Sequence, residues 1–204
     1  IAISIRNSLD TQMENYYQKV IAWSGNPIFQ SSTSIINTRE GIDDIWASDP
    51  EQAFDSTVSS YLSDLAADPV IYELLMTNES GYVFATSRPT TKWDNSAAGW
   101  YQAAMALDKR GDIQSSIYSG DVYWNSTTDK WNVDVASQIN DPVSRKPIGT
   151  LKATLDYSRF MDGILESSGL RAYEVKFVND NGLVLVTSLA DNTGTSDVTV
   201  NISD

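Results

Sequence analysis

Residues 72–87 read YELLMTNESGYVFATS, and residues 173–188 read YEVKFVNDNGLVLVTS. The two stretches align without a gap at an offset of 101 residues, with seven of sixteen positions identical. The identities extend beyond the turn, to Tyr72/Tyr173, Thr86/Thr187 and Ser87/Ser188. Each copy is an apolar run, a four-residue Asn-x-x-Gly turn and a second apolar run, which is the pattern of a β-hairpin. Glycine at the last turn position lets the backbone take a positive φ that a side chain would oppose. A repeat this long marks a duplicated module, not a solenoid period.

Upstream of the first copy the pattern is helical. Apolar residues at 1, 5, 9, 13, 16, 20 and 23 give a narrow stripe that ends at Gly25-Asn26-Pro27. Such a stripe predicts a helix over 1–24 with a face for a partner helix, and hence a homodimer along it. A shorter helix follows from Pro27 to about Ile36. Ser48-Asp49-Pro50-Glu51 reads as the start of a third, which carries Ala53, Phe54, Val58, Tyr61, Leu62 and Leu65 inward and ends near Ala67. Asp68-Pro69 breaks it.

Downstream, a polar segment over 88–98 leads into a short helix over 99–107, stopped by Asp108-Lys109-Arg110-Gly111. From Asp112 the period changes to two. Ile113, Ser115 and Ile117 alternate with Gln114, Ser116 and Tyr118. Trp131, Val133, Val135 and Ile139 alternate with Asn132, Asp134 and Gln138. Leu151, Ala153 and Leu155 alternate with Lys152, Thr154 and Asp156. This predicts a three-stranded antiparallel meander with one apolar and one polar face. A helix over 158–165 closes it and leads through Gly169 to the second hairpin. Sixteen residues follow Ser188, too few for a second meander, so the second module is expected to be reduced or truncated. The fold class is α+β: a five-stranded antiparallel sheet with segregated helices, including a long N-terminal one.

The 204 residues contain neither cysteine nor histidine. That removes disulfides, thiolate metal sites, the usual general base and the usual zinc ligand, so no catalytic residue, metal site or cofactor is expected. A net charge of −13 argues against nucleic-acid binding and against docking on anionic lipid. No apolar run reaches membrane-spanning length. The start at Ile1, without Met, reads as a segment of a longer protein. Asp121, Asp129 and the 191–197 segment match no calcium loop.

In this order, the elements resemble a Cache domain, the PAS-like extracytoplasmic sensor of histidine kinases and chemoreceptors, in its double form. The resemblance is carried by the long first helix, the Asn78-Glu79-Ser80-Gly81 hairpin, Gly99-Trp100-Tyr101-Gln102-Ala103-Ala104, Ile117-Tyr118, residues 131–139, and Ile148-Gly149-Thr150-Leu151 running into Leu155-Asp156-Tyr157. It implies an N-terminal helical segment over 1–48, a membrane-distal ligand-binding domain over 49–168 and a membrane-proximal module over 169–204. It also implies a location outside the cytoplasm, with the membrane reached only through flanking helices absent from this chain. By motif matching, Trp100, Tyr101, Tyr118 and Asp156 line the ligand pocket. In the amino-acid-binding branch an Arg two residues before this Trp holds the ligand carboxylate. Here that position is Ala98, which counts against amino-acid recognition and leaves Arg88 as the arginine to reach the pocket from elsewhere.

Alternation independently places Tyr118, Asp134 and Asp156 on the polar face. Roofed by Trp93, Trp100 and Tyr101, that face suits the ammonium of a small amine-containing ligand, through ion pairing and cation–π contact. The expected function is therefore a non-catalytic sensor domain for a small molecule. The alternative is a carbohydrate-binding or surface adhesion module using the exposed aromatics.

Overall fold

The structure, a computed structural model, describes residues 2–108, 112–126, 128–167, 176–178 and 184–187. The helix stop at Lys109-Arg110-Gly111, Gly169, the turn of the second hairpin and the 191–197 segment lie outside the described residues.

Three helices come first: α1 (Ala2–Ser24), α2 (Pro27–Thr38) and α3 (Ile42–Ser48). A 3-10 turn (Pro50–Ala53) leads to α4 (Ser56–Leu65), the hairpin β1 (Ile71–Asn78) and β2 (Val83–Thr86), and α5 (Gly99–Met105). A second 3-10 turn (Gln114–Ser116) precedes β3 (Tyr118–Ser119) and β4 (Tyr123–Asn125). Then come β5 (Lys130–Asn140), β6 (Pro147–Asp156) and α6 (Tyr157–Ser167), with β7 (Lys176–Val178) and β8 (Val184–Thr187) last. The main sheet is antiparallel throughout, in the order β2-β1-β6-β5-β3, with β4 also paired to β5. This is the α+β, PAS-like arrangement expected, with a long helix in front.

Local chemistry explains the elements. Asn26 caps α2 by accepting from the Ile28 N–H, with Pro27 in the first turn. At the hairpin, Asn78 Oδ1 accepts from the N–H groups of Ser80 and Tyr82, and Gly81 sits at φ +91°. A Cβ on Gly81 would lie 2.7 Å from the Ser96 backbone, so glycine is required there for space as well as for φ.

The repeat is visible in the backbone. Leu75, Met76 and Thr77 pair with Thr86, Ala85 and Val83, with a register shift between Met76 and Thr77. Lys176, Phe177 and Val178 pair with Thr187, Val186 and Val184, with the shift between Phe177 and Val178. Every partner and the irregularity itself recur at the offset of 101.

The apolar face of the sheet packs on the helices. Val133, Val135, Leu151, Leu155, Leu74 and Met76 meet Val20, Phe29, Trp46, Leu62 and Phe160 in one core. The stripe of α1 thus lies against this core: Leu9, Met13, Tyr16 and Trp23 are partly buried on it. Tyr16 Oη and Lys19 Nζ both donate to Asp68, at 3.2 and 2.8 Å, and tie α1 to the start of β1.

Two local expectations are corrected, and one element was not foreseen. The helix expected from Pro50 is only a 3-10 turn at first. The α-helix starts at Ser56, because Asp55 supplies the cap to the Val58 N–H. The strand expected from Asp112 is absent over 113–117: Asp112 accepts from the Ser115 N–H and hydroxyl, which turns the chain. What replaces it is a strand broken in two, β3 and β4, both paired to β5. Helix α3 had no forecast; it starts from Gly41 at φ +71° with no side-chain cap.

Candidate ligand site

The other face of the sheet is covered by α5, held by three different contacts. Gln138 Nε2 donates to the carbonyls of Met105 and Leu107 at the helix C-terminus, both at 2.9 Å. Tyr101 Oη donates to the Glu79 carbonyl in the β1–β2 turn. Trp100 lies with its ring 5.1 Å from Lys152 Nζ on β6, a cation–π contact.

Beneath this cover, side chains from neighbouring strands meet. Asp134 accepts from Thr154 Oγ1 at 2.6 Å and from Tyr123 Oη at 3.3 Å, and its carboxylate is 3.4 Å from Lys152 Nζ. The side chains of Asp134 and Lys152 are only 13% and 10% exposed, so water screens the pair weakly. Burial, and then the negative charge of Asp134, raise the phenols of Tyr118 and Tyr123. Asn132 is 0% exposed; neither its Nδ2 nor its Oδ1 completes a hydrogen bond of good geometry, although its amide is near enough to the Tyr123 hydroxyl to offset part of the rise there. Tyr123 is 37% exposed, so the edge of the cluster meets solvent.

Glu73 on β1 completes the charge pattern. Burial raises its carboxyl and Asp134 adds to the rise, while Lys152 and Arg88 oppose it. A raised carboxyl keeps its proton in the folded state over a range where the unfolded chain has already lost it. Its contribution to stability is therefore present below the usual Glu range and lost as pH rises through the folded value. Glu73→Gln is expected to be more stable than the parent at pH 7 and to flatten the profile above about pH 4.5. Urea midpoints from pH 4 to 8 check this; an unchanged slope would contradict it.

Of the residues singled out from sequence, Tyr118, Asp134 and Trp100 come to this face, and Tyr101 anchors its cover. Asp156 is at the far end of β6, 3% exposed, with its carboxylate on Lys130 Nζ, 3.6 Å from Arg159 Nε, and accepting from the Arg159 N–H. It caps α6 and holds an ion pair. Arg88 and Trp93 do not roof the face; they line a groove at the β2 edge. Lys152, Thr154, Asn132, Tyr123 and Glu73 were not singled out. Alternation had put Lys152, Thr154 and Asn132 on the polar face, but it does not distinguish a covered position on that face from a solvated one.

No family model and no curated protein matches the sequence. Solved structures do resemble the fold. The ligand-binding domain of the Pseudomonas aeruginosa PAO1 amino acid chemoreceptor PctC, in complex with GABA, is 15% identical. That match covers 91% of this chain and 71% of that one, with a TM-score of 0.47. The V. cholerae histidine kinase DctB sensor domain is 13% identical, with 90% and 68% covered and a TM-score of 0.47. The extracellular domain of rpHK1S-Z16 is 18% identical, with 78% and 61% covered and a TM-score of 0.45. This chain therefore spans less than two thirds of the rpHK1S-Z16 domain.

Proposed function

We propose that this chain is the extracytoplasmic ligand-binding part of a membrane-anchored signalling protein of the histidine kinase or chemoreceptor kind. It binds a small zwitterion between α5 and the polar face, and it catalyses nothing. The observation that carries this reading is the Asp134–Lys152 pair, withdrawn from water beneath Trp100. An ion pair held this way is weak as a source of stability, because desolvation offsets most of its attraction. As a receptor it offers both charges at once: Asp134 to an ammonium, Lys152 to a carboxylate. Lys152 thereby supplies the cation that Ala98 does not. The buried amide of Asn132, which completes no hydrogen bond of good geometry, supports the same reading, since a ligand group could satisfy it.

Signalling is read as a shift in α1, which packs on the opposite face of β5 and β6, with a homodimer along α1 as the assembly. No described helix is long and apolar enough to cross a membrane, so anchoring is assigned to segments outside this chain. The second hairpin is read as the start of a membrane-proximal module.

Thermal-shift screening with amines, zwitterions and simple carboxylates tests the site. A zwitterion present at about 100 times its Kd is expected to raise Tm by roughly 5 °C or more. Asp134→Asn and Lys152→Met should each abolish the shift, while Asp43→Asn, on the exposed side of α3, leaves it unchanged. A shift confined to plain carboxylates, or one that survives Asp134→Asn, would overturn the proposal.

A further inference from the structure

Arg88 and Trp93 share a groove of about 530 Å³ between α4 and the segment that follows β2. We propose that this groove is a second ligand site, separate from the Asp134–Lys152 face, for a small carboxylate with a flat apolar body. Its size is within the range of small-molecule pockets.

The guanidinium of Arg88 is held by Tyr72 and is offset only at longer range, by Glu73. Its Nε donates to the Tyr72 carbonyl, and its Cζ lies 4.7 Å from the centre of the Tyr72 ring. Among the described residues, no carboxylate is within ion-pair distance of it. The terminal nitrogens remain as a preorganised donor pair, the geometry that receives a carboxylate. Phe54 and Trp93 meet edge to face, with centroids 6.0 Å apart at 88°, and give the groove an aromatic corner for a flat body.

Hydroxyls complete it. Ser59 is buried, and its Oγ accepts from the Thr86 N–H, which leaves its own proton to donate. Ser60 and Ser63 follow on the same helix and also line the groove. Both walls are fixed to β2: the Asp55 N–H donates to the Phe84 carbonyl at 2.7 Å, and the Val83 N–H to the Trp93 carbonyl at 2.8 Å. Glu51 lines the groove as well. Its charge repels a carboxylate, so Arg88 marks the end at which the carboxylate sits.

Benzoate is the probe, followed by NMR through the Trp93 indole N–H, which a Trp93→Phe spectrum assigns. Benzoate is expected to shift that resonance, and benzamide, of the same shape without the charge, to bind at least ~10-fold more weakly. Arg88→Gln should weaken benzoate by a similar factor and Glu51→Gln should strengthen it. Ser60→Phe, which fills the groove and leaves Arg88 in place, should abolish binding. Asp134→Asn should leave it intact, so failure here and failure of the zwitterion site are read separately. Should Arg88→Gln not fold, the benzoate–benzamide comparison on the parent protein decides. The proposal is overturned if benzoate fails to shift Trp93, if benzamide binds equally well, or if the shifts centre on Trp100 and depend on Asp134.

Discussion

Gly149→Ala is expected to destabilise the fold by about 3 kcal/mol, at the upper end of what overpacking costs. Gly149 is in the interior of the sheet, paired with Asn78 on β1 and Ile139 on β5. A Cβ there would be 2.2 Å from the Thr77 carbonyl oxygen and 2.8 Å from Thr33 Cγ2. Neither neighbour can yield cheaply. Thr77 belongs to a paired strand, and its Oγ1 is 2.7 Å from Thr150 Oγ1. Thr33 is fully buried, and its hydroxyl donates to the Phe29 carbonyl. The urea midpoint should therefore fall by roughly 1–2 M with an unchanged m-value. Gly163→Ala is the control: on α6 an added Cβ meets nothing within 4 Å, and helix propensity predicts a gain of up to about 1 kcal/mol. If both variants behave alike, the close approach of β1 to β6 at Gly149 is wrong.

Asp156→Ala is expected to lose about 3 kcal/mol of stability while the zwitterion response survives in the folded fraction. Two losses combine. The Arg159 N–H at the start of α6 loses its acceptor, worth about 1 kcal/mol. The charge-assisted bond from Lys130 contributes about 1.5–3 kcal/mol more. Lys130 is 35% exposed and regains water, which keeps its share toward the lower figure. Asp156→Asn keeps an acceptor for the helix and loses the charge, so it should fall between parent and alanine variant. A variant that keeps full stability and loses the ligand response would return Asp156 to the binding face, where motif matching first placed it.

Much of the architecture was legible in the sequence because it rests on short-range patterns. Alternation over 131–139 and 151–155 separates the apolar side from the polar side of β5 and β6 correctly. The Asn-x-x-Gly turn and the spacing of 101 locate both hairpins. What escaped is governed by interactions that residue types alone do not reveal. Ile113-Gln114-Ser115-Ser116-Ile117 alternates like a strand, yet hydrogen bonds from Ser115 to Asp112 curl it. At the site, Asp156 looked like Asp134 in pattern but is at a strand end, where a helix N-terminus and two cations claim it. Trp93 was expected on the roof and Arg88 was expected to reach the pocket from elsewhere, whereas the path of the chain after β2 carries both to a groove at the β2 edge. Lys152 escaped because a lysine at an alternating position reads as solvated, whereas here Trp100 lies over it and Asp134 beside it.

On β5, Asp134 points to the covered chamber while Val133 and Val135, one residue either side, belong to the core that seats α1. The strand is thus a partition one residue thick, with no slack layer between a charged compartment and the helix bundle. Any flexing of β5 that brings Asp134 toward a guest must tilt those two valines by a matching amount. Separate relay residues are unnecessary in such a wall: the pleat couples its two sides directly.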